Sequence, residues 1–178
     1  MSGIIGGAGS KSGVLGKLAP GTTVLLYSGY ETADHNSSND GGFVTTALAT
    51  GATILPHPGN DILIYFSVSL SSSSGSRFWA HIRKGGSDLT GSIANASGNR
   101  KRTTIAGSGT NSNGIDTTGS IMYLDVNPYT GSALTYDILI QPESGQTVHM
   151  NQSNSDSDSA TVARTCSSLQ VFEIHRKI

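Results

Sequence analysis

The sequence predicts an all-β protein: an antiparallel β-sandwich of the jelly-roll or a related type. The first reason is a period-2 pattern in residues 61–83, where apolar side chains alternate with polar ones. The second is composition, because 23 of the 178 residues are glycine, only 13% are charged, and good helix formers cluster nowhere. The third is the short spacing of alternating runs bounded by glycine, asparagine or proline, which predicts roughly eight strands.

The strongest strand signal lies at the centre of the chain, in residues 61–83. Apolar residues from Ile62 to Leu70 fall on every second position, and serines occupy much of the other face. This pattern predicts a strand with one face in a core and one face in water. After a Ser/Gly break at residues 72–76, the alternation resumes from Phe78. Two such runs with a short turn-rich link predict an antiparallel hairpin.

The start of the chain, residues 1–19, differs from the rest. Glycine recurs through it, and its few apolar residues cannot bury enough surface to order the segment alone. We therefore expect a flexible docking arm that orders only against another surface, followed by one β-domain over residues 20–178. The apolar side chains that a docking arm would insert are Ile4, Ile5, Val14, Leu15 and Leu18.

This glycine-rich start does not match a nucleotide-binding loop. A P-loop requires G-x-x-x-x-G-K-[ST], but Ser10 precedes Lys11, and Ile5 stands where the first glycine belongs. No periodic helix follows to direct amide groups at phosphates. The dinucleotide fingerprint fails as well, because Ser12 occupies the place of its third glycine. We expect no nucleotide cofactor.

Further strands are predicted on both sides of the central segment, at residues 22–27, 43–55, 121–126, 134–140 and 147–150. Polar loops are predicted at residues 30–42, 107–119 and 151–159. The last segment, residues 160–178, is predicted as one long strand. Its apolar groups lie on both parities, which indicates burial both by its own core and by a neighbouring chain or layer.

Charge and cysteine content exclude several classes of protein. A formal net charge of −1 gives no basic field for nucleic acid. Cys166 is the single cysteine, so no intrachain disulfide can form, and we expect it to pack as a small buried hydrophobe. No apolar stretch is long enough to span a membrane, and the start lacks the order of a signal peptide. We expect a soluble protein made in a cytoplasm.

The sequence contains no recognisable catalytic or metal-binding set. No G-x-S-x-G occurs, and Glu31, Glu143 and Glu173 cannot be paired by any local argument. Asp156 and Asp158 alternate with serines but lack the pattern of an EF-hand, which leaves only a loose calcium site. The sequence has five histidines, and none lies two or four residues from another, the spacing that would begin a metal site. They are His35, His57, His81, His149 and His175. We expect no catalytic residues, no metal and no cofactor, and therefore not an enzyme.

Recognition of another molecule is the remaining role for the polar and aromatic residues. Trp79, beside His81 and Arg83 on the outer face of its strand, could stack on a sugar, although packing under a neighbouring chain is the favoured interpretation. The polar loops could form an adaptable binding surface. The candidate receptor contacts are Tyr30, His35, Asn36, Asn111, Asn113 and Asn151.

Two parts of the chain resemble known proteins. The start, IIGGAGSKSGVLG, looks like the N-terminal segment carried by many structural proteins of marine tailed phages, where it precedes unrelated β-rich modules. From Thr22 to the closing Leu-Gln-Val-Phe-Glu-Ile strand, the chain is similar to phage appendage domains with a trimeric jelly roll like that of complement C1q and tumour necrosis factor. The first resemblance covers the arm and the second, which rests on pattern, covers the remainder.

The resemblance implies a homotrimeric virion protein, made in the host cytoplasm and docked by its arm to a capsid or tail protein. The docking residues would be Ile4, Ile5, Lys11, Val14, Leu15 and Leu18, and the trimer interface would include Trp79, Leu169, Val171, Phe172 and Ile174. The chain passes from arm to domain without the shaft of a long fibre. This favours a compact capsid decoration or cement protein, or a short head or tail appendage. The alternative is a tail-fibre knob that binds host glycans, and a polysaccharide depolymerase is least favoured.

Overall fold

The computed structural model describes residues 20–37, 43–44, 53–73, 75–109, 115, 117–160 and 162–176. The predicted arm, residues 1–19 with all of its docking residues, lies outside the described residues. So do Asn111, Asn113 and the side chain of His35.

The described residues form two antiparallel β-sheets packed as a sandwich, which confirms the predicted all-β class. The first sheet contains β1 (Thr23–Glu31), β2 (His35–Ser37), β5 (Asp61–Ser72), β9 (Thr117–Asp125), β11 (Val148–Met150) and β12 (Ser167–Ile174). The second contains β3 (Phe43–Val44), β4 (Thr53–Ile54), β6 (Arg77–Lys84), β7 (Ser87–Asp88), β8 (Ile105–Ser108) and β10 (Leu134–Pro142). A single turn of 3-10 helix, Thr90–Ser92, is the helical element of the described residues.

The two long strands β5 and β6 organise their sheets. In the first sheet, β12 and β11 follow one another along one edge of β5, β9 pairs with the other edge, and β1 lies outside β12. In the second sheet, β10 pairs with β6 and carries β3 and β4, while β8 and β7 pair with the other edge of β6. Every one of these pairings is antiparallel.

The core lies between the sheets and comes from one parity of each strand, as the period-2 pattern predicted. In β5 the apolar series from Ile62 to Leu70 faces inward, and in β6 the series from Phe78 to Ile82 faces it. The fully buried side chains of largest volume are Tyr136, Phe66, Phe78, Ile62, Ile64, Leu70, Ile82, Ile138, Ile140, Met150 and Leu169.

The predicted hairpin of residues 61–83 is wrong. Its two strands exist, but β5 belongs to the first sheet and β6 to the second, so they face each other across the core instead of pairing. The serine-rich link turns this corner through polar contacts: Ser76 donates its backbone N–H to the Ser73 carbonyl at 3.0 Å, and its hydroxyl lies 2.8 Å from Gln146 Oε1. Alternation identifies the face that a strand buries but not the strand it pairs with.

Two other predictions need correction. Among the described residues of the last segment, regular strand is confined to β12, and the described residues before it contribute one isolated bridge, between Arg164 and Gln152. Cys166 is exposed and not a buried hydrophobe. It directly precedes β12 and has the parity that points away from the core in that strand. Among the described residues, no helix is long and apolar enough to cross a bilayer.

A polar clamp joins the two sheets at one end of the sandwich. Asp125, at the end of β9, accepts a hydrogen bond from the Tyr136 hydroxyl at 2.7 Å and contacts Lys84 Nζ at 2.8 Å; both partners belong to the second sheet. Burial, together with the hydrogen bond to Asp125, raises the pKa of Tyr136 far above its usual range. The buried carboxylate is thus compensated by a cation and a hydroxyl from the opposite layer.

Candidate functional site

An apolar surface covers one half of the outer face of the first sheet. Strand register aligns four residues in one row across it: Leu25 on β1 lies opposite Phe172 on β12, Phe172 opposite Leu63 on β5, and Leu63 opposite Leu124 on β9. Leu25 is 50% exposed and Leu124 41% exposed, while Leu63 and Phe172 between them are half-buried. All four belong to the parity that points away from the core.

The rows on either side mix apolar and polar residues. In the next row Tyr65 lies between Gln170 and Met122, which is 66% exposed, and in the previous row Ile174 lies between Thr23 and Asp61. Val126, directly after β9, is 58% exposed. We call this set the apolar face; its members are Leu25, Leu63, Tyr65, Met122, Leu124, Val126, Phe172 and Ile174.

The character of the outer face changes abruptly toward the other end of the sheet. Ser168, Ser67 and Ser120 form the row after Met122, and Ser69 with Thr118 forms the row after that. The hydroxyls of Ser69 and Thr118 lie 3.1 Å apart. The outer face is therefore divided into an apolar half and a hydroxyl-lined half. A contiguous apolar patch bordered by polar residues is typical of a protein–protein contact.

The predicted interface residues do not form one surface. Phe172 and Ile174 belong to the apolar face, but Leu169 and Val171 have no exposed surface because they pack in the chain's own core. Trp79 lies on the second sheet, half-buried, with Lys101 Nζ 5.6 Å from the centre of its ring. Of the five, then, only Phe172 and Ile174 can take part in a contact through the apolar face.

Most of the apolar face was not predicted from the sequence, although the sequence contains a pattern that indicates it. Leu63 and Tyr65 lie between the inward residues of β5, and Met122 and Leu124 alternate with the inward residues of β9. Apolar groups on both parities of a strand indicate contacts on both sides. The serines that follow in β5 suggested instead that the whole outer face of the strand is exposed to water, so its apolar part was not predicted.

The candidate receptor contacts are also dispersed. Tyr30 is 63% exposed at the end of β1, and Asn36 is exposed on β2. Asn151 is fully buried, so the prediction that it contacts a receptor is wrong. The prediction that the loop of residues 151–159 is exposed is also wrong for this first residue.

Asn151 instead joins three segments of the chain. Its amide Nδ2 donates to the carbonyls of Glu31 at 2.8 Å and Ala33 at 3.1 Å, and its Oδ1 accepts the hydroxyl of Ser167 at 2.7 Å. Its backbone N–H donates to the Ser69 carbonyl at 3.1 Å. The residue has a φ of 66°, a left-handed conformation that asparagine tolerates better than most side chains.

A fixed polar surface lies beside this junction. Arg164 contacts Asp34, in the link between β1 and β2, and donates to Asp156 Oδ2 at 2.8 Å, so it ties two loops together. A shallow cleft here is lined by Asp156, Ser157, Asp158, Ser159, Val162 and Arg164. Within the described residues, no three His, Cys, Asp or Glu side chains are arranged to hold a metal ion.

A second polar cluster lies at the opposite end of β12. Glu173 is buried, and its carboxylate accepts the backbone N–H of His57 at 2.6 Å and contacts His57 Nδ1 at 2.9 Å. His175 Nε2 lies 3.9 Å from the same carboxylate. Tertiary structure thus brings together two histidines that are far apart in the sequence.

No protein-family model matches this chain, and no curated protein matches it in sequence.

Proposed function

We propose that this chain is a non-enzymatic structural protein of a bacteriophage particle. It acts as a compact homotrimer, a capsid decoration or cement protein or a short head or tail appendage, and docks to capsid or tail proteins through residues 1–19. The observation that carries the assembly part of this proposal is the apolar face. The resemblance of residues 1–19 to the attachment segment of phage structural proteins supports the location.

The strand order supports a jelly roll as the finer description of the sandwich. In the first sheet the order is β1, β12, β5, β9, and in the second β10 lies between β3 or β4 and β6, followed by β8. In the described strands the chain crosses between the sheets six times: from β2 to β3, β4 to β5, β5 to β6, β8 to β9, β9 to β10 and β10 to β11. Repeated crossing with antiparallel pairing is what two interlocked Greek keys require.

Self-association through the apolar face would remove its exposed leucine and methionine side chains from water. Each square ångström of apolar surface buried contributes about 25 cal/mol, and the row of Ser168, Ser67 and Ser120, which is at least partly exposed, would supply a polar rim. An aromatic such as Phe172 with aliphatic neighbours on both sides has the composition of an interface centre.

The test of assembly is the molar mass of the purified chain, measured by light scattering during size exclusion. We expect three times the 18.4 kDa of one chain. A monomer over the whole accessible concentration range would refute the trimer.

The test of location is deletion of residues 1–19. We expect the truncated chain to keep its oligomeric state but to be lost from assembled particles. Normal incorporation of the truncated chain would refute docking through the arm, whatever the oligomeric state.

A second candidate function is adhesion to host glycans by the same trimer, as a tail-fibre knob. It is favoured by the polar surface around Arg164, where two ion pairs hold neighbouring loops in a fixed arrangement. Fixed polar loops on a rigid sandwich are suited to recognition. Binding of the multivalent protein to a glycan array would support this function, and the absence of binding at high avidity would oppose it.

A further inference from the structure

The buried carboxylate of Glu173 binds one residue of a neighbouring loop twice. Glu173 lies on β12 with the inward parity of Leu169 and Val171 and is 1% exposed. Its Oε1 accepts the backbone N–H of His57 at 2.6 Å, and its Oε2 lies 2.9 Å from His57 Nδ1. Because an ionised carboxylate can only accept hydrogen bonds, His57 Nδ1 carries a proton. These two contacts hold the loop that precedes β5 against β12.

A second imidazole faces the same carboxylate. His175 Nε2 is 3.9 Å from Glu173 Oε2, and its Nδ1 is 3.2 Å from Asn60 Nδ2. The Asn60 amide is oriented by the backbone N–H of Arg176, which donates to Asn60 Oδ1 at 3.3 Å. An amide nitrogen only donates, so His175 Nδ1 accepts, and its proton is on Nε2. Both imidazoles therefore present N–H groups to Glu173.

The same residue, His175, also fixes the beginning of the β-domain. Its backbone N–H donates to the Thr22 carbonyl at 2.9 Å, and its carbonyl accepts the N–H of Gly21 at 2.7 Å. Residues 21–22 directly follow the predicted docking arm. The cluster of His57, Asn60, Glu173 and His175 thus connects the loop before β5 with the point where the arm joins the domain. We call it the arm-root cluster.

The other charged groups nearby have partners of their own. Asp125 lies in the same inward row beyond Ile62 and is compensated by Lys84. Asp61, on the outer parity of β5, contacts Arg176 at 3.4 Å. Across from Glu173 on β1 is the apolar residue Val24. Among the described residues, the polar groups that face Glu173 are therefore those of the arm-root cluster.

We infer that Glu173 is an acid-released latch for the root of the N-terminal arm. When Glu173 takes up a proton, its two hydrogen bonds with His57 lose the assistance of the carboxylate charge, and the contact at Nδ1 survives only if the imidazole moves its proton to Nε2 and accepts. Both contacts are thereby weakened, so the loop before β5 loosens from the end of β12. The backbone pairings of the sheets and the apolar core do not include this carboxylate.

The direction of the pH response follows from the environment of Glu173. Burial alone would raise its pKa, but the hydrogen bonds from the backbone and imidazole of His57, and from Asn60, outweigh it and leave the pKa below the usual range. A carboxyl group with a lowered pKa in the folded state stabilises that state above its unfolded pKa of about 4.3. This contribution is lost as pH falls through the lower folded pKa. The latch is closed at neutral pH and opens in strong acid.

The test is backbone hydrogen exchange of the full chain, followed by NMR between neutral pH and about pH 3 and expressed as protection factors, which remove the intrinsic effect of pH. We expect protection at His57 and His175 to fall in acid while the amides of β5 stay protected. Simultaneous loss at all three places, or no loss, would overturn the latch.

Two variants separate the latch from a general effect of acid. In Glu173→Gln the side chain is neutral at every pH, so protection at His57 should be low at neutral pH and no longer respond to acid. Glu143→Gln removes a carboxylate that pairs with Arg77 at the surface and should keep the wild-type response. An unchanged response in Glu173→Gln would refute the inference. If that variant does not fold, the order of loss in the wild-type chain still decides.

Discussion

Phe172 and Leu63 lie opposite each other on β12 and β5, on the outer face of the first sheet, and both are only half-buried by the described part of the chain. Leu25 and Leu124 continue this row outward on both sides and are each exposed by about two-fifths or more. Because apolar side chains are more stable when buried, this row is the basis of the proposed self-association.

Leu124→Asp is expected to weaken self-association. A carboxylate placed on the apolar face would have to be desolvated on assembly, which should cost about 2 kcal/mol or more, a roughly thirtyfold rise in dissociation constant. Sedimentation equilibrium measures this constant. Asn95→Asp, which adds the same charge to an exposed loop, is the matched control. Equal dissociation constants for the two variants would mean that the apolar face is not the interface.

Lys84→Met is expected to destabilise the sandwich by about 2–3 kcal/mol, because Asp125 is left as a buried carboxylate without its cation. The value is at the low end for buried pairs since Lys84 is 31% exposed. Urea unfolding measures the change. Adding Asp125→Asn should recover part of the loss, because the uncompensated charge disappears. A double variant that is less stable than the single one would contradict this account of the clamp.

Tyr136 should give the fold a specific sensitivity to alkali. Burial, together with the hydrogen bond to Asp125, raises its pKa, so its contribution is complete below the unfolded tyrosine pKa of about 10 and is lost as pH rises above it. In Tyr136→Phe this alkaline loss should be smaller, at the cost of about 1 kcal/mol at neutral pH. Free energies of unfolding measured at neutral and alkaline pH test this. Tyr30→Phe, at an exposed position, should leave the profile unchanged.

Asn151→Ala should be among the most damaging changes of a polar residue. It removes three side-chain hydrogen bonds, leaves the Glu31 and Ala33 carbonyls without this donor, and places alanine at a φ of 66°. We expect a loss of about 3 kcal/mol in thermal or urea unfolding. Asn95→Ala, in an exposed loop, should change stability by less than about 0.5 kcal/mol. Similar losses in the two variants would show that Asn151 has no special role.

The sequence by itself determined the fold class and the inward face of the main strands. Ile62, Ile64 and Phe66 are buried as their alternation predicted, because a pleated strand sends successive side chains to opposite faces whatever its partners are.

Only the tertiary structure decided which strands pair and which distant residues meet. Strand pairing joins residues far apart in the chain, and no local pattern encodes that choice; β5 and β6 therefore read as a hairpin although they belong to different sheets. The apolar face exists because four strands align Leu25, Phe172, Leu63 and Leu124 in register. For the same reason His57, which is far away in the sequence, meets the buried carboxylate of Glu173 and its near neighbour His175: the loop of His57 leads into β5, which pairs with β12 only in the folded sheet.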